Sequence, residues 1–442
     1  MGTVKRRVLD FDFEKVCSIS LQTTNVYACL VCGKYYQGRG RGSHAYVHSV
    51  QFDHHVYLNL LTKKFYCLPD DYEIIDSSLD DIKGMLDPSF TRDEIQKLDK
   101  QPTICRTLDG KQYVAGVVGL NNLGFNDYIN VVVQTLSHSS LFRNYFLLPQ
   151  NYEKHSNQAS SRLVSRLGTL IRKMWSSKNF KNQVSPHELL QEISLASRKK
   201  FSIGVRENPM TFISWLLNTL HKDLAGSKKR QSIVSKCFQG EVRVITSKDE
   251  IPENDSRKSN SSAKEKKTIT TVSNTPFMFL SLDIPPPPLF KDEKEKTVIP
   301  QEPLFTLLSK FDGVSKHFNP HTKETKIYRI TKLPNYLILH IQRFTNNLWY
   351  TEKNTTIVNF PMKSLDMSPY CDNPQEQGGC IYNLIANIRH NGTVENFWYN
   401  LHVLQKNTDK WYDIQDLIVE EAMPPLIALS EAYIQFYERV QT

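Results

Sequence analysis

Gly119-Leu-Asn-Asn-Leu-Gly-Phe-Asn-Asp127-Tyr-Ile-Asn-Val-Val-Val-Gln134 is the stretch on which the reading of the chain turns. Its first half holds two glycines and three asparagines, which favour turns, and its second half opens a run of apolar residues at helical spacing. Ser and Asn flank that run as caps. The spacing predicts a buried helix over 128–147 that follows a loop.

Downstream, further helices are predicted at 162–175, 185–197 and 209–224, the last because Phe212, Leu216, Leu217 and Leu220 recur every three or four residues. After Gly240 the preference changes. Short β-rich runs begin at Glu241, Phe277, Tyr336 and Asn383, so strands are expected to dominate the C-terminal half. The polar stretch 246–275 has no periodicity and is read as a mobile insertion between two strands.

Upstream lies a Cys/His-rich unit, closed by acidic residues between Asp70 and Asp81. Four of the eight cysteines (Cys17, Cys29, Cys32 and Cys67) fall within it, beside His44, His48, His54 and His55. Such crowding points to metal and not to disulfides. Cys29-Leu-Val-Cys32 is a CxxC knuckle, and two cysteines with two histidines would close a tetrahedral zinc site. Spacing leaves the histidine pair open between 44/48 and 48/54. Between this unit and the next, 87–107 is a charged connector with helical character over 92–98.

The 442 residues imply two or three domains, and 40% hydrophobic with 23% charged residues is a globular composition. No run of about 18 apolar residues occurs, and the N-terminal stretch lacks an apolar core, so neither membrane spanning nor secretion is expected. A net charge of +9 is a mild bias on this length. No sequence-specific nucleic-acid binding is expected from it.

Asn25 to Gly33, Gln37-Gly38-Arg39 and Ser43 to His48 resemble the ubiquitin-binding zinc finger of ubiquitin-specific proteases. That resemblance implies one structural zinc on Cys29, Cys32, His48 and His54. A second site that would use Cys17 and His44 is degenerate, with Ser20 and Gln37 in the other ligand places, and Cys67 is left from a third. The resemblance also assigns Arg39 and Tyr27 to the ubiquitin tail, while Leu68 replaces a tyrosine hydroxyl.

The stretch from Gly119 resembles the cysteine box of the same family, and the likeness runs through Thr211–His221, Phe277–Pro285, Leu333–Phe344 and Ser430–Arg439. It implies an α+β architecture: a small zinc-stabilised finger over 1–85, a connector over 86–111, and over 112–442 a papain-like ubiquitin-specific-protease fold with helical thumb and β-rich palm and fingers. By the same alignment Asp127 stands at the nucleophile, Trp398 at the general base and Gln415 at the third triad position, while Asn122 keeps the oxyanion-hole place. Indole has no basic nitrogen, and a carboxylate attacking an amide would be expelled again, so no triad can work. His402 lies about 13 Å along a strand from Trp398 and does not deputise. The similarity is strongest to the inactive branch associated with the spliceosomal tri-snRNP. It implies a nuclear, non-catalytic scaffold that binds tri-snRNP proteins and supports splicing. The alternative is a ubiquitin receptor, or a residual deubiquitinase with a non-standard nucleophile such as Cys105.

Overall fold

The computed structural model describes residues 4–153, 161–225, 231–250, 267–286, 300–319, 322–346 and 350–440. Two compact units emerge: Met1–Phe212 with Lys222–Leu224 and Gln405–Glu421, and Ile213–His221 with Ala225–Leu404 and Ala422–Thr442.

In the first unit, five short antiparallel strands run in the order Tyr35–Gln37, Val26–Cys29, Val56–Asn59, Phe65–Cys67 and Tyr72–Ile74. The helix His44–Phe52 packs against the first of them. So small a sheet buries little by itself. Its apolar face is completed by Leu9, Phe11, Ile82, Leu86 and Phe180, from segments before and after its strands in the sequence. Asp12 anchors the same junction by accepting from Lys173 Nζ at 2.7 Å and from the Ser185 N–H at 3.0 Å.

Besides the finger helix, the described residues of this unit hold the short helices Asp80–Leu86 and Arg92–Lys97, the second on the predicted 92–98, and the longer helices Asp127–His138, Ser140–Leu147, Ser161–Trp175 and His187–Ala196. The single helix predicted over 128–147 is therefore two. Ser139 is extended at φ −76° and ψ 99°, and its carbonyl accepts from the Arg143 N–H at 2.8 Å, so the chain restarts a helix instead of continuing one. Arg143, fully buried, stacks 4.2 Å over Trp175 and forms a two-pronged pair with Asp99 at 2.8 and 2.7 Å. These contacts tie the second helix to the connector and to Trp175.

The second unit is β-rich. One sheet runs Leu280–Asp283, Tyr336–Gln342, Ala432–Arg439, Ile381–Gly392 and Phe397–Gln405, the first pair parallel and the others antiparallel. A second runs Lys267–Phe277, Gly240–Glu250, Glu324–Lys332 and His317–Asn319. The insertion read over 246–275 is thus structured at both ends, since Thr246↔Thr271 through Glu250↔Lys267 continue the ladder. Local composition carries no signal of order there. A neighbouring strand supplies it, because backbone pairing does not need an apolar side chain at each step. Residues 251–266 lie outside the described residues. The helical first half and β-rich second half agree with the α+β reading.

Candidate metal centre and the box loop

Cys29 ends a strand and Cys32 follows in a tight turn, which Gly33 closes by donating its N–H to the Cys29 carbonyl at 2.9 Å. Gly33 has φ +77°, and a Cβ there would stand 2.3 Å from the Val8 carbonyl oxygen, so both conformation and space require glycine. The finger helix supplies His48, and the turn after it supplies His54.

The four donor atoms lie within 4.8 Å of one another. Cys29 Sγ is 3.5 Å from His54 Nδ1, Cys32 Sγ is 3.5 Å from His48 Nε2, and the two nitrogens are 3.1 Å apart. Tetrahedral zinc with ordinary bond lengths puts neighbouring S and N about 3.5 Å apart and two N about 3.3 Å apart. The set fits one zinc ion. Four protein ligands leave no open position, so the ion supplies structure and no Lewis-acid chemistry. Without an ion the two thiols share a proton, the hydrogen bond between them holding Cys32 below its ordinary value and raising Cys29. Tyr36 stacks on the His48 ring at 4.1 Å and fixes its orientation.

His44 is half-buried on the same helix and lies outside the cluster, which brings together the 48/54 pair. At Cys17 the place of a metal is taken by hydrogen bonds. Its sulfur accepts from the N–H groups of Ser20 at 3.5 Å and Gln37 at 3.3 Å, and Ser20 Oγ donates to Gln37 Oε1 at 3.1 Å. Burial would raise this thiol, yet those bonds hold it below its ordinary value.

Arg39 donates to Asp71 at 2.7 Å and lies 4.3 Å over Tyr66, which meets Tyr27 edge-on at 5.9 Å. Tyr27 is itself buried with Leu68 among the apolar residues behind the knuckle. The aromatic surface under Arg39 is Tyr66, which spacing alone did not single out. Its signal was present in Tyr66↔Tyr57 pairing, but only once the strand register is known.

Asp127 opens the helix Asp127–His138, where backbone N–H groups favour a negative charge. Asn122 Nδ2 donates to Asp416 Oδ2 at 2.9 Å, while its Oδ1 accepts from the N–H groups of Gly124 at 3.1 Å and Asn126 at 3.2 Å. Asp416 Oδ1 accepts from Asn130 Nδ2 at 2.9 Å, and its carbonyl accepts from the Leu120 N–H at 2.9 Å. Asn122 is thereby engaged in holding the loop. Asp416, immediately after Gln415 and at φ +50°, is the residue that ties loop and helix together. Gln415 ends the strand Lys410–Gln415 in this same unit.

Trp398 belongs to the second unit, on the strand Phe397–Gln405, and is 44% exposed. His402 on that strand is buried, with Asn387 Nδ2 3.5 Å from its Nδ1. Another imidazole, His390, faces Tyr399 across the ladder and stacks on Phe397 at 5.0 Å. Burial drives His390 down to about 4, which leaves it neutral. Cys105 is buried in the strand Ile104–Arg106, and burial pushes its thiol up, the opposite of what a nucleophile needs.

Residues 118–437 match the ubiquitin carboxyl-terminal hydrolase family, and residues 17–79 match the zinc finger of ubiquitin hydrolases and other proteins. The chain is 49% identical over 447 residues to human "Ubiquitin carboxyl-terminal hydrolase 39", covering 99% of this chain and 79% of that protein. It is 44% identical over 455 residues to "Probable mRNA-splicing protein ubp10" of Schizosaccharomyces pombe, covering 99% and 88%. Among solved structures it superposes on one titled "Crystal structure of an essential yeast splicing factor", with a TM-score of 0.76, 29% identity and 99% of each chain covered.

Proposed function

The chain belongs to the ubiquitin carboxyl-terminal hydrolase family, and from that premise we propose that it is a non-catalytic scaffold of pre-mRNA splicing, acting in the nucleus on the spliceosomal tri-snRNP. The observation that carries the reading is full-length similarity to splicing proteins in a chain whose nucleophile position is a carboxylate at a helix start. Asp127 cannot cleave an amide, Trp398 cannot accept a proton, and the Asn122 amide is occupied by Asp416. What remains of the enzyme is its surface. A fold of this size offers extended docking area, and function then resides in what that area touches.

A second reading, weak capture of the ubiquitin C-terminal tail, keeps one observation in its favour: Arg39 is half-exposed on an aromatic platform. Asp71 already fills the place of an incoming carboxylate, so any such binding must displace an internal ion pair. Surface pairs of this kind contribute about 0–1 kcal/mol, which makes the displacement cheap but not free.

The scaffold reading is tested by recovering the tagged chain from nuclear extract. Tri-snRNP proteins should accompany it after nuclease treatment and after Asp127→Ala, and should be lost when 112–442 is deleted. Release by nuclease, or equal loss from the single substitution, would count against it.

A further inference from the structure

Beside the degenerate box loop stands the segment Arg198-Lys-Lys-Phe-Ser-Ile-Gly-Val-Arg206. Arg198, Lys199, Lys200 and Arg206 are all exposed, and no ion pair engages the first three among the described residues. Arg198 and Lys199 sit at φ +54° and +65°, consecutive non-glycine residues in the left-handed region. Such backbone costs free energy and persists only where surrounding structure imposes it.

That imposition is visible. Phe201 is fully buried, packed 5.2 Å from Phe212 and 6.3 Å from Tyr128 on the box helix, and its N–H donates to Ser197 Oγ at 3.0 Å. The Gly204 N–H donates to the Gly124 carbonyl at 2.8 Å, which joins this segment to the box loop. Across the junction Arg206 lies 4.2 Å over the ring of Phe125, and Phe125, Ile203 and Val205 are all partly open to solvent. The result is a pinned surface with four cations at its ends and three apolar side chains between them. Glu207, next to Arg206 in sequence, and Asp127 are half-buried and act on Tyr128.

We propose that Arg198–Arg206 together with Phe125 forms a docking surface for an acidic peptide segment of a partner protein, carboxylates meeting Arg198, Lys199 and Lys200 and an apolar side chain covering Phe125, Ile203 and Val205. Charge complementarity selects an acidic partner. The aliphatic neighbours favour a peptide over RNA, because stacked bases need further aromatic faces and Phe201 is buried. This names the chemistry of a partner and rests on the scaffold reading only for why such a surface exists. A binding measurement on the purified chain can fail while tri-snRNP association stands, and the reverse.

The probe is a fluorescent twelve-residue peptide of alternating glutamate and leucine, titrated with the full chain. Controls are the glutamine analogue and a twelve-nucleotide uridine RNA. Binding should weaken at least tenfold for the glutamine analogue, and equally for the combined Arg198→Glu, Lys199→Glu, Lys200→Glu chain, with zinc content and circular dichroism unchanged. Phe125→Ala should weaken it several-fold without altering its salt dependence. The milder Lys200→Gln should give a smaller loss of the same sign, should the triple change fail to fold. Equal affinity of the intact and charge-reversed chains overturns the proposal, as does tighter binding of the RNA that the reversal abolishes.

Discussion

A carboxylate at the first position of a helix keeps the negative charge that a thiolate would bring there, without its reactivity. Asp127 thus suits the helix it opens, and its replacement by cysteine should not restore an enzyme. On the proposed assignment a thiol at that place would lack a base, since Trp398 offers no basic nitrogen and the His402 imidazole is buried. Asp127→Cys is expected to show no cleavage of a fluorogenic ubiquitin substrate, and measurable turnover would mean that the base has been placed wrongly. At the knuckle the expectation is numerical. Elemental analysis should return close to one zinc per chain, and Cys29→Ser should release it, because a structural ion contributes folding free energy of about 10 kcal/mol in small fingers. A second equivalent would show that Cys17, Ser20 and Gln37 bind metal in spite of their hydrogen bonds.

At the scale of elements the decisive joint is Asp416, which reaches the box loop through Asn122 and Leu120 and the box helix through Asn130. Asp416→Ala removes the shortest acceptor of the Asn130 amide, leaving it the longer contacts to the Leu120 and Asn121 carbonyls at 3.4 and 3.3 Å, and gives the exposed Asn122 amide to water, a loss of about 1–3 kcal/mol. Asn130 is the buried one of the two. Denaturant unfolding should show this loss, and hydrogen exchange should speed up over 119–127 while the finger stays protected. Unchanged exchange in the loop would remove Asp416 from this role. Sequence spacing revealed the box loop, the knuckle and the later helices, because periodicity and turn residues are local. It did not reveal the joint, since Asp416 and Asn122 are 294 positions apart and meet only through the fold. The break at Ser139 escaped too: the second helix pairs through Arg143 with Asp99 of the connector, 44 positions away. Tyr66 and the paired ends of the 246–275 stretch likewise depend on strand register.

For the molecule as a whole, acidity should weaken both units as the pH falls from about 6.5 towards 4. Burial drives His138 in the first unit, and His340 and His390 in the second, each down to about 4. Their unfolded value is about 6.5, so below it the unfolded chain binds protons that the folded chain refuses, and stability falls as pH drops towards 4. At pH 5 each histidine costs on the order of 1–2 kcal/mol. Asp99 works in a lower window. Burial would raise it, but the Arg143 hydrogen bond and charge hold it at about 2, so its contribution is complete above about pH 4 and is lost only below that. Chemical denaturation at pH 7, 6 and 5 should therefore show falling stability, and His340→Gln should reduce the slope. Asp99→Asn should lower stability at every pH in that range, by about 3–5 kcal/mol, because it leaves the buried Arg143 guanidinium without its carboxylate. A denaturation midpoint that stays fixed from pH 7 to 5 would show that these histidines are not held neutral by burial.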